Sequence, residues 1–434
     1  MRLSFTKHTL ANGLDVILHE DRACPIVAVN VWYHVGSKNE RPGHTGFAHL
    51  FEHLMFEGSA HHDHSYFQPL QGAGATLNGS TNADRTNYWE VVPTGALELA
   101  LWMESDRMGY LLPALTEAKF SNQRDVVLNE RRQNYENRPY GLASMALLAA
   151  LFPPEHPYHW ATIGEIADLQ AVQLDEVHAF FRRHYHPANA SLALAGDIDV
   201  DAALSLVDAY FGSIDAGLRA DPVEAPAELT SNVRMYLEDQ IELPRLYLAW
   251  LTPAMFADGD ADLDLATDLL ANGKTSRLYK RLVFDERIAT DVSASQNSRE
   301  IGGFAQLTAT AAPGRTLAEL ERAILEEIAR LAAEGPSEAE IDRGRVQAEA
   351  QFVFRLQTVG GFGGKSDQLN AYNTFLGDPA YFDRDLARYQ DVTAASLQQA
   401  VARFLDPVRR VTLSVVPHGR LDLAVADSAR AVVR

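Results

Sequence analysis

The chain has 434 residues, too long for one ordinary core, and its 47% hydrophobic and 22% charged content is that of a soluble globular protein. Its formal net charge of −20 excludes a broad phosphate-binding surface, so no nucleic-acid partner is expected. Cys24 is the one cysteine, which excludes an intrachain disulfide and a zinc–thiolate cluster; a bound zinc would need histidine and carboxylate ligands.

The N-terminal Met1-Arg-Leu-Ser-Phe-Thr-Lys-His lacks the apolar run of a signal peptide. The longest apolar run, 142–152, is too short to cross a bilayer, and a soluble, cytoplasmic protein is expected. Asn12-Gly13 signals a hairpin turn, with strands predicted over 14–18 and 26–33.

Gly43 to Gly46 open a helix that Gly58 closes, and within it stand His49, Glu52 and His53. Residues four apart on a helix lie nearly one above the other, so His49 and His53 aim two imidazoles at one spot, as a divalent metal requires. Glu52 reaches the edge of that spot, where a carboxylate could take a proton from a metal-bound water. The pattern is H-x-x-E-H, the reverse of H-E-x-x-H. Two core or surface histidines that happen to stand four apart are the plain alternative.

His61-His62-Asp63-His64 has no helical spacing and reads as a solvated loop. Residues 74–82 lead into an edge-like strand over 86–92. Helical patterns cover 95–110 and 117–137, the second with Thr116 as its N-cap. A further helix over 175–184 stops before Pro187, ahead of a strand over 191–198. Residues 217–232, with Pro222 and Pro226, read as an interdomain linker.

The half of the chain beyond the linker resembles the half before it. Pro25 and Pro244, Thr116 and Ser337, and Pro187 and Pro407 recur in similar contexts at offsets of 219 to 221 residues. A near-constant offset means one fold written twice. Residues 1–216 would be a zinc-bearing catalytic domain, 217–232 a linker, and 233–434 a homologous non-catalytic domain. His49, Glu52 and His53 fall opposite Asp264, Thr267 and Asp268, so the second copy has lost the metal pattern.

Two histidines leave zinc one protein ligand short of the usual three. The 117–137 helix offers Glu130, whose counterpart in the second copy is Gln351. At this point the chain resembles the inverted zincins of the pitrilysin, insulin-degrading enzyme and mitochondrial processing peptidase family. In that family a ligand glutamate follows H-x-x-E-H by some seventy-five residues; here 76 lie between His53 and Glu130. The likeness covers nearly the whole chain. It includes Asn12-Gly-Leu, Val35-Gly-Ser-Lys-Asn-Glu40, Gly46-Phe-Ala-His-Leu-Phe-Glu-His-Leu-Met-Phe-Glu-Gly58, Thr86-Asn-Tyr88, His156-Pro-Tyr158 and Ala195-Gly-Asp197.

The resemblance implies an α+β fold of two homologous domains, each a mostly antiparallel sheet packed with helices, forming a clamshell. It implies one zinc per chain on His49, His53 and Glu130, with Glu52 as general base in an endopeptidase. It also implies that substrate binds as an added strand beside Asn78-Gly79-Ser80. Two positions depart from the family. A glutamate often supports the site seven residues before the third ligand, and Gln123 stands there. Active members take an Arg and a Tyr, seven apart, from the second half; alignment on Ser276-Arg-Leu-Tyr279 puts Val283 and Thr290 in their places. The chain would then be the metal-bearing subunit of a heterodimer whose related partner brings the Arg/Tyr pair, or else a homodimer using other donors. The competing function is a non-catalytic subunit that cages peptides or serves as an assembly scaffold. Val359-Gly-Gly-Phe-Gly-Gly364-Lys-Ser366 lacks the first glycine of a phosphate loop and reads as a flexible loop facing the substrate chamber.

Overall fold

The computed structural model describes residues 3–219 and 221–433. A first sheet takes β1 (Thr6–Thr9), β2 (Asp15–Glu20), β3 (Ile26–Tyr33), β4 (Thr76–Thr81), β5 (Thr86–Pro93) and β6 (Ala190–Gly196), in the order β1-β2-β6-β3-β5-β4. Neighbours are antiparallel except β2 and β6, which run parallel. A second sheet takes β7 (Val233–Asp239), β8 (Arg245–Thr252), β9 (Ala289–Asn297), β10 (Gly303–Ala311), β11 (Val411–Pro417) and β12 (Ala429–Arg430), in the order β12-β7-β11-β8-β10-β9. There β7 runs parallel to β11, and β11, β8, β10 and β9 follow antiparallel to one another. Five strands of the second sheet therefore repeat five of the first in order and direction. Pro25 and Pro244 stand directly before β3 and β8. The fold is α+β in two sheet-plus-helix halves, as the sequence predicts.

Local sequence explains the elements. The Asn12-Gly13 turn closes through Leu10 C=O accepting from Gly13 N–H, with Gly13 at φ 87°. Alternation along β3 sends Val27, Val29, Val31 and Tyr33 to one face and Asn30 and Trp32 to the other. The first set is fully buried. The second meets polar partners: Asn30 and Trp32 both donate to Asp367. One face of this sheet is therefore an apolar core and the other a hydrogen-bonded network, joined by Asn370 and Asn373 around Ser191.

The two compact units are discontinuous in sequence. One comprises Met1–Glu130, Ala161–Val223 and Phe352–Arg384; the other comprises Arg131–Trp160, Glu224–Gln351 and Asp385–Arg434. The expected boundaries 1–216 and 233–434 separate the strands of the two sheets, whereas the compact units each take one segment from across them. The cause is packing. The apolar helix Ala143–Leu151 lies on β8 and β11, while the Lys365–Leu376 helix lies on β2, β3 and β6. The 359–364 loop, expected to be flexible, is an ordered lead-in to that second helix. Phe362 meets Trp89 edge-on at 5.5 Å, Gly363 N–H donates to Asp367, and Lys365 is paired with Asp21 at 2.5 Å. No helix among the described residues is long and apolar enough to cross a membrane.

Candidate metal centre

The Phe47–Leu54 helix buries Phe47, Ala48, Leu50, Phe51 and Leu54, which turns His49, Glu52 and His53 to its other side. Its start is fixed from several directions. Glu40 accepts from the Gly46 and Ala48 N–H groups at 3.0 and 2.9 Å, placing an anion on donors that the helix leaves unpaired. Thr45 donates to Asp168 through both backbone and hydroxyl. Gly46 itself sits at φ 89°, where an added Cβ would lie 2.9 Å from the Ile163 carbonyl oxygen.

Glu130 comes from the Glu117–Arg131 helix, whose first turn is capped by Thr116 as expected. Its Oε2 lies 3.3 Å from His53 Nε2 and 3.8 Å from His49 Nε2. The ligand atoms of the three residues lie within 4.8 Å of one another, the one such group of three found among the described residues. Ligands about 2.0–2.1 Å from a tetrahedral zinc stand roughly 3.3–3.5 Å apart; the His53–Glu130 pair stands at that spacing and the His49–Glu130 pair a few tenths of an ångström wider, so two imidazole nitrogens and a carboxylate oxygen suit that ion with a small closing-in. Burial, aided by the neighbouring His53, pushes the His49 pKa down to about 4, which leaves its lone pair free of a proton at neutral pH.

Glu52 faces β4. Burial pushes its carboxyl up, against a hydrogen bond from Thr81 and the electrostatic pull of the nearby His53 and Arg85 side chains. Strand β4 is the sheet edge, paired on one side with β5. Asn82 N–H closes the hairpin on Arg85 C=O, and alternation from there turns the backbone of Leu77, Gly79 and Thr81 to the open side. Asn78, Gly79 and Ser80 have distinct places on this edge. The Asn78 side chain accepts from Gly79 N–H at 2.8 Å. Ser80 is held by Asn87 and by Arg85, whose guanidinium reaches both the Ser80 carbonyl and hydroxyl. Gly79 backs onto the Phe56 ring, 3.2 Å from where a Cβ would stand.

Gln123 donates to Glu57 across 2.6 Å. Val283 packs against the apolar core of the second half, and Thr290 donates to Asp291. In the repeat, Asp264 accepts from the Tyr389 hydroxyl at 2.6 Å, and Thr267 bonds back to its own helix. The contacts of Thr81, Arg85 and Glu40 escape sequence reading, because hairpin and cap geometry set them rather than helical spacing. Beneath Phe56, the buried Arg107 pairs with Glu104 and lies 4.0 and 4.2 Å over the Tyr66 and Tyr88 rings. The His61–His64 run is a loop, with His61 bonded to Asp106 at 2.5 Å.

Residues 15–156 match the family model described as Insulinase (Peptidase family M16), and residues 171–347 match the Peptidase M16 inactive domain. Zinc protease PqqE of Helicobacter pylori is 25% identical over 94% of this chain and 92% of that protein. An uncharacterised zinc protease of Mycobacterium leprae is 29% identical over 76% of this chain and 74% of that one. Among solved structures, a protease from Helicobacter pylori gives a TM-score of 0.87 at 24% identity, over 96% of this chain and 100% of that one. The periplasmic protease PqqL of Escherichia coli gives 0.79 at 19% identity, over 98% of this chain and 50% of that one. At these identities the structures establish the fold alone.

Proposed function

The chain belongs to the M16 peptidase family, and from that premise we propose that it is a zinc endopeptidase acting on peptides or unfolded polypeptides. The observation that carries this reading is the convergence of His49, His53 and Glu130, with Glu52 turned toward an edge strand. Held by those three residues, zinc would supply Lewis acidity, polarising the scissile carbonyl and acidifying a water.

The remaining steps belong to the chain itself. Glu52 accepts the proton of the attacking water at its carboxylate and returns it to the leaving amine. Burial that raises its proton affinity suits it to hold that proton between the two transfers. Substrate backbone pairs with the outward groups of Leu77, Gly79 and Thr81, and the Asn78 side chain releases Gly79 N–H as this happens. Main-chain pairing gives affinity with little sequence preference.

Val283 and Thr290 supply no cation or phenol to a developing oxyanion, a stabilisation worth about 3–4 kcal/mol per donor. This supports a heterodimer in which a related subunit contributes an Arg/Tyr pair to the metal-bearing chain. A homodimer using other donors is the competing assembly. The same absence favours, as the second reading, a chain that binds zinc and cages peptides without cutting them.

Hydrolysis of a quenched fluorescent peptide by the zinc-loaded chain, with Glu52→Gln as the blank, decides among these. Turnover lost in the variant supports a self-sufficient peptidase and removes the need for a partner. Silence with one zinc bound, relieved by adding a related subunit, supports the heterodimer; silence that persists supports the cage. The cytoplasmic placement belongs to the same proposal, and cell fractionation tests it.

A further inference from the structure

Beside the metal centre lies a cavity of about 550 Å³, and Glu52 and His53 form part of its wall. Phe56 and Phe67 line it, with ring centroids 4.7 Å apart. Two further carboxylates reach it. Asp63 is already paired with the Lys119 ammonium. Glu57 has only the neutral Gln123 amide, at 2.6 Å, and forms no ion pair among the described residues.

An aromatic wall ending in a carboxylate without a cation suits a side chain with an apolar stem and a positive head. We infer that Glu57 is a specificity-determining residue that selects peptides carrying arginine or lysine next to the bond to be cut. The inference rests on the peptidase reading and gives it a substrate class. An acidic side chain entering the cavity would face both Glu57 and Glu52. A leucine would cover the rings but strip water from Glu57 without replacing it. Gln123 orients the selecting carboxylate while leaving its charge uncancelled, which a lysine at that position would not do.

The test uses quenched peptides of one sequence that carry arginine, lysine, leucine or glutamate at positions flanking the scissile bond. They are offered to the zinc-loaded wild-type chain, to Glu57→Gln and to Glu57→Arg, after each variant's melting curve shows it folded. At one flanking position the wild type should prefer arginine and lysine over glutamate by about tenfold or more in kcat/KM. Glu57→Gln should level that preference and Glu57→Arg should reverse it. The same ranking of peptides in wild type and Glu57→Gln overturns the inference. Binding of the same peptides to the Glu52→Gln chain, read by fluorescence anisotropy, separates the two readings. If no peptide is cut, even with a related subunit added, the peptidase reading fails and binding alone carries the test. Tighter binding of arginine than glutamate, levelled by adding Glu57→Gln, still upholds the pocket; equal binding overturns it.

Discussion

Trp32 Nε1 donates to Asp367 Oδ1 across 2.9 Å, although 335 residues separate them in the chain. The same carboxylate accepts from Asn30, Asn87 and the Gly363 N–H, so a single aspartate ties the Lys365–Leu376 helix to the first sheet. Asp367→Ala strands several buried donors at about 1–3 kcal/mol each, and a net loss of about 3–5 kcal/mol is expected. Urea unfolding measures it, and a change below about 1 kcal/mol would show that Asn370 and Asn373 hold the helix without Asp367.

Removing one member of the metal group should cost zinc before it costs the fold. His53→Ala and Glu130→Gln are expected to bind far less than one zinc per chain, while their metal-free melting temperatures stay near that of the stripped wild type. Zinc at a hundredfold its Kd should stabilise the wild type by about 2.7 kcal/mol and the variants hardly at all. Equal zinc-induced stabilisation in all three would place the ion elsewhere.

An added-strand mode of binding predicts an alternating response to substrate N-methylation. With Leu77, Gly79 and Thr81 facing the open edge, methyl groups on every second substrate amide remove a pairing donor. Each should raise KM about tenfold, and methyl groups on the amides between them should do little. A flat response along the peptide would rule out strand addition at β4.

Asp264 makes a separate prediction for stability. Burial, and then the charges of Asp260 and Asp268, hold its carboxyl at about 7 against an ordinary 3.8, although Tyr389 donates to it. Between those values the folded chain keeps a proton that the unfolded chain has released, so stability falls as pH rises through that window. Asp264→Asn removes this loss. Its melting temperature should match the wild type near pH 4 and exceed it at pH 8. A gain of the same size at both pH values would mean the effect is not protonation.

The shared side of the Phe47–Leu54 helix was legible because its signal is local. His49, Glu52 and His53 need only the helical repeat to share a side. The duplication was legible too, since Pro25 and Pro244 mark equivalent strand starts. The exchanged segments were not. The apolar run 142–152 announces that a helix will be buried, but nothing in its periodicity says against which sheet. The 359–364 loop misled for a related reason: its glycines read as freedom, whereas Phe362 on Trp89 and Lys365 on Asp21 hold it. Glu57 gave no signal, because its meaning depends on a Gln123 that stands 66 residues away.

The reciprocal exchange of helices bears on the synthesis of the chain. Neither half of the sequence carries the helix that covers one face of its own sheet, because that helix belongs to the other half. The ribosome inherits the same constraint. The first sheet is complete once β6 ends at Gly196, yet its polar face waits for residues 365–376 before it is covered. Nascent chains of intermediate length therefore leave Asn30, Trp32 and Asn87 without their Asp367 partner, and truncation anywhere between those points yields a half-covered sheet rather than a smaller folded unit.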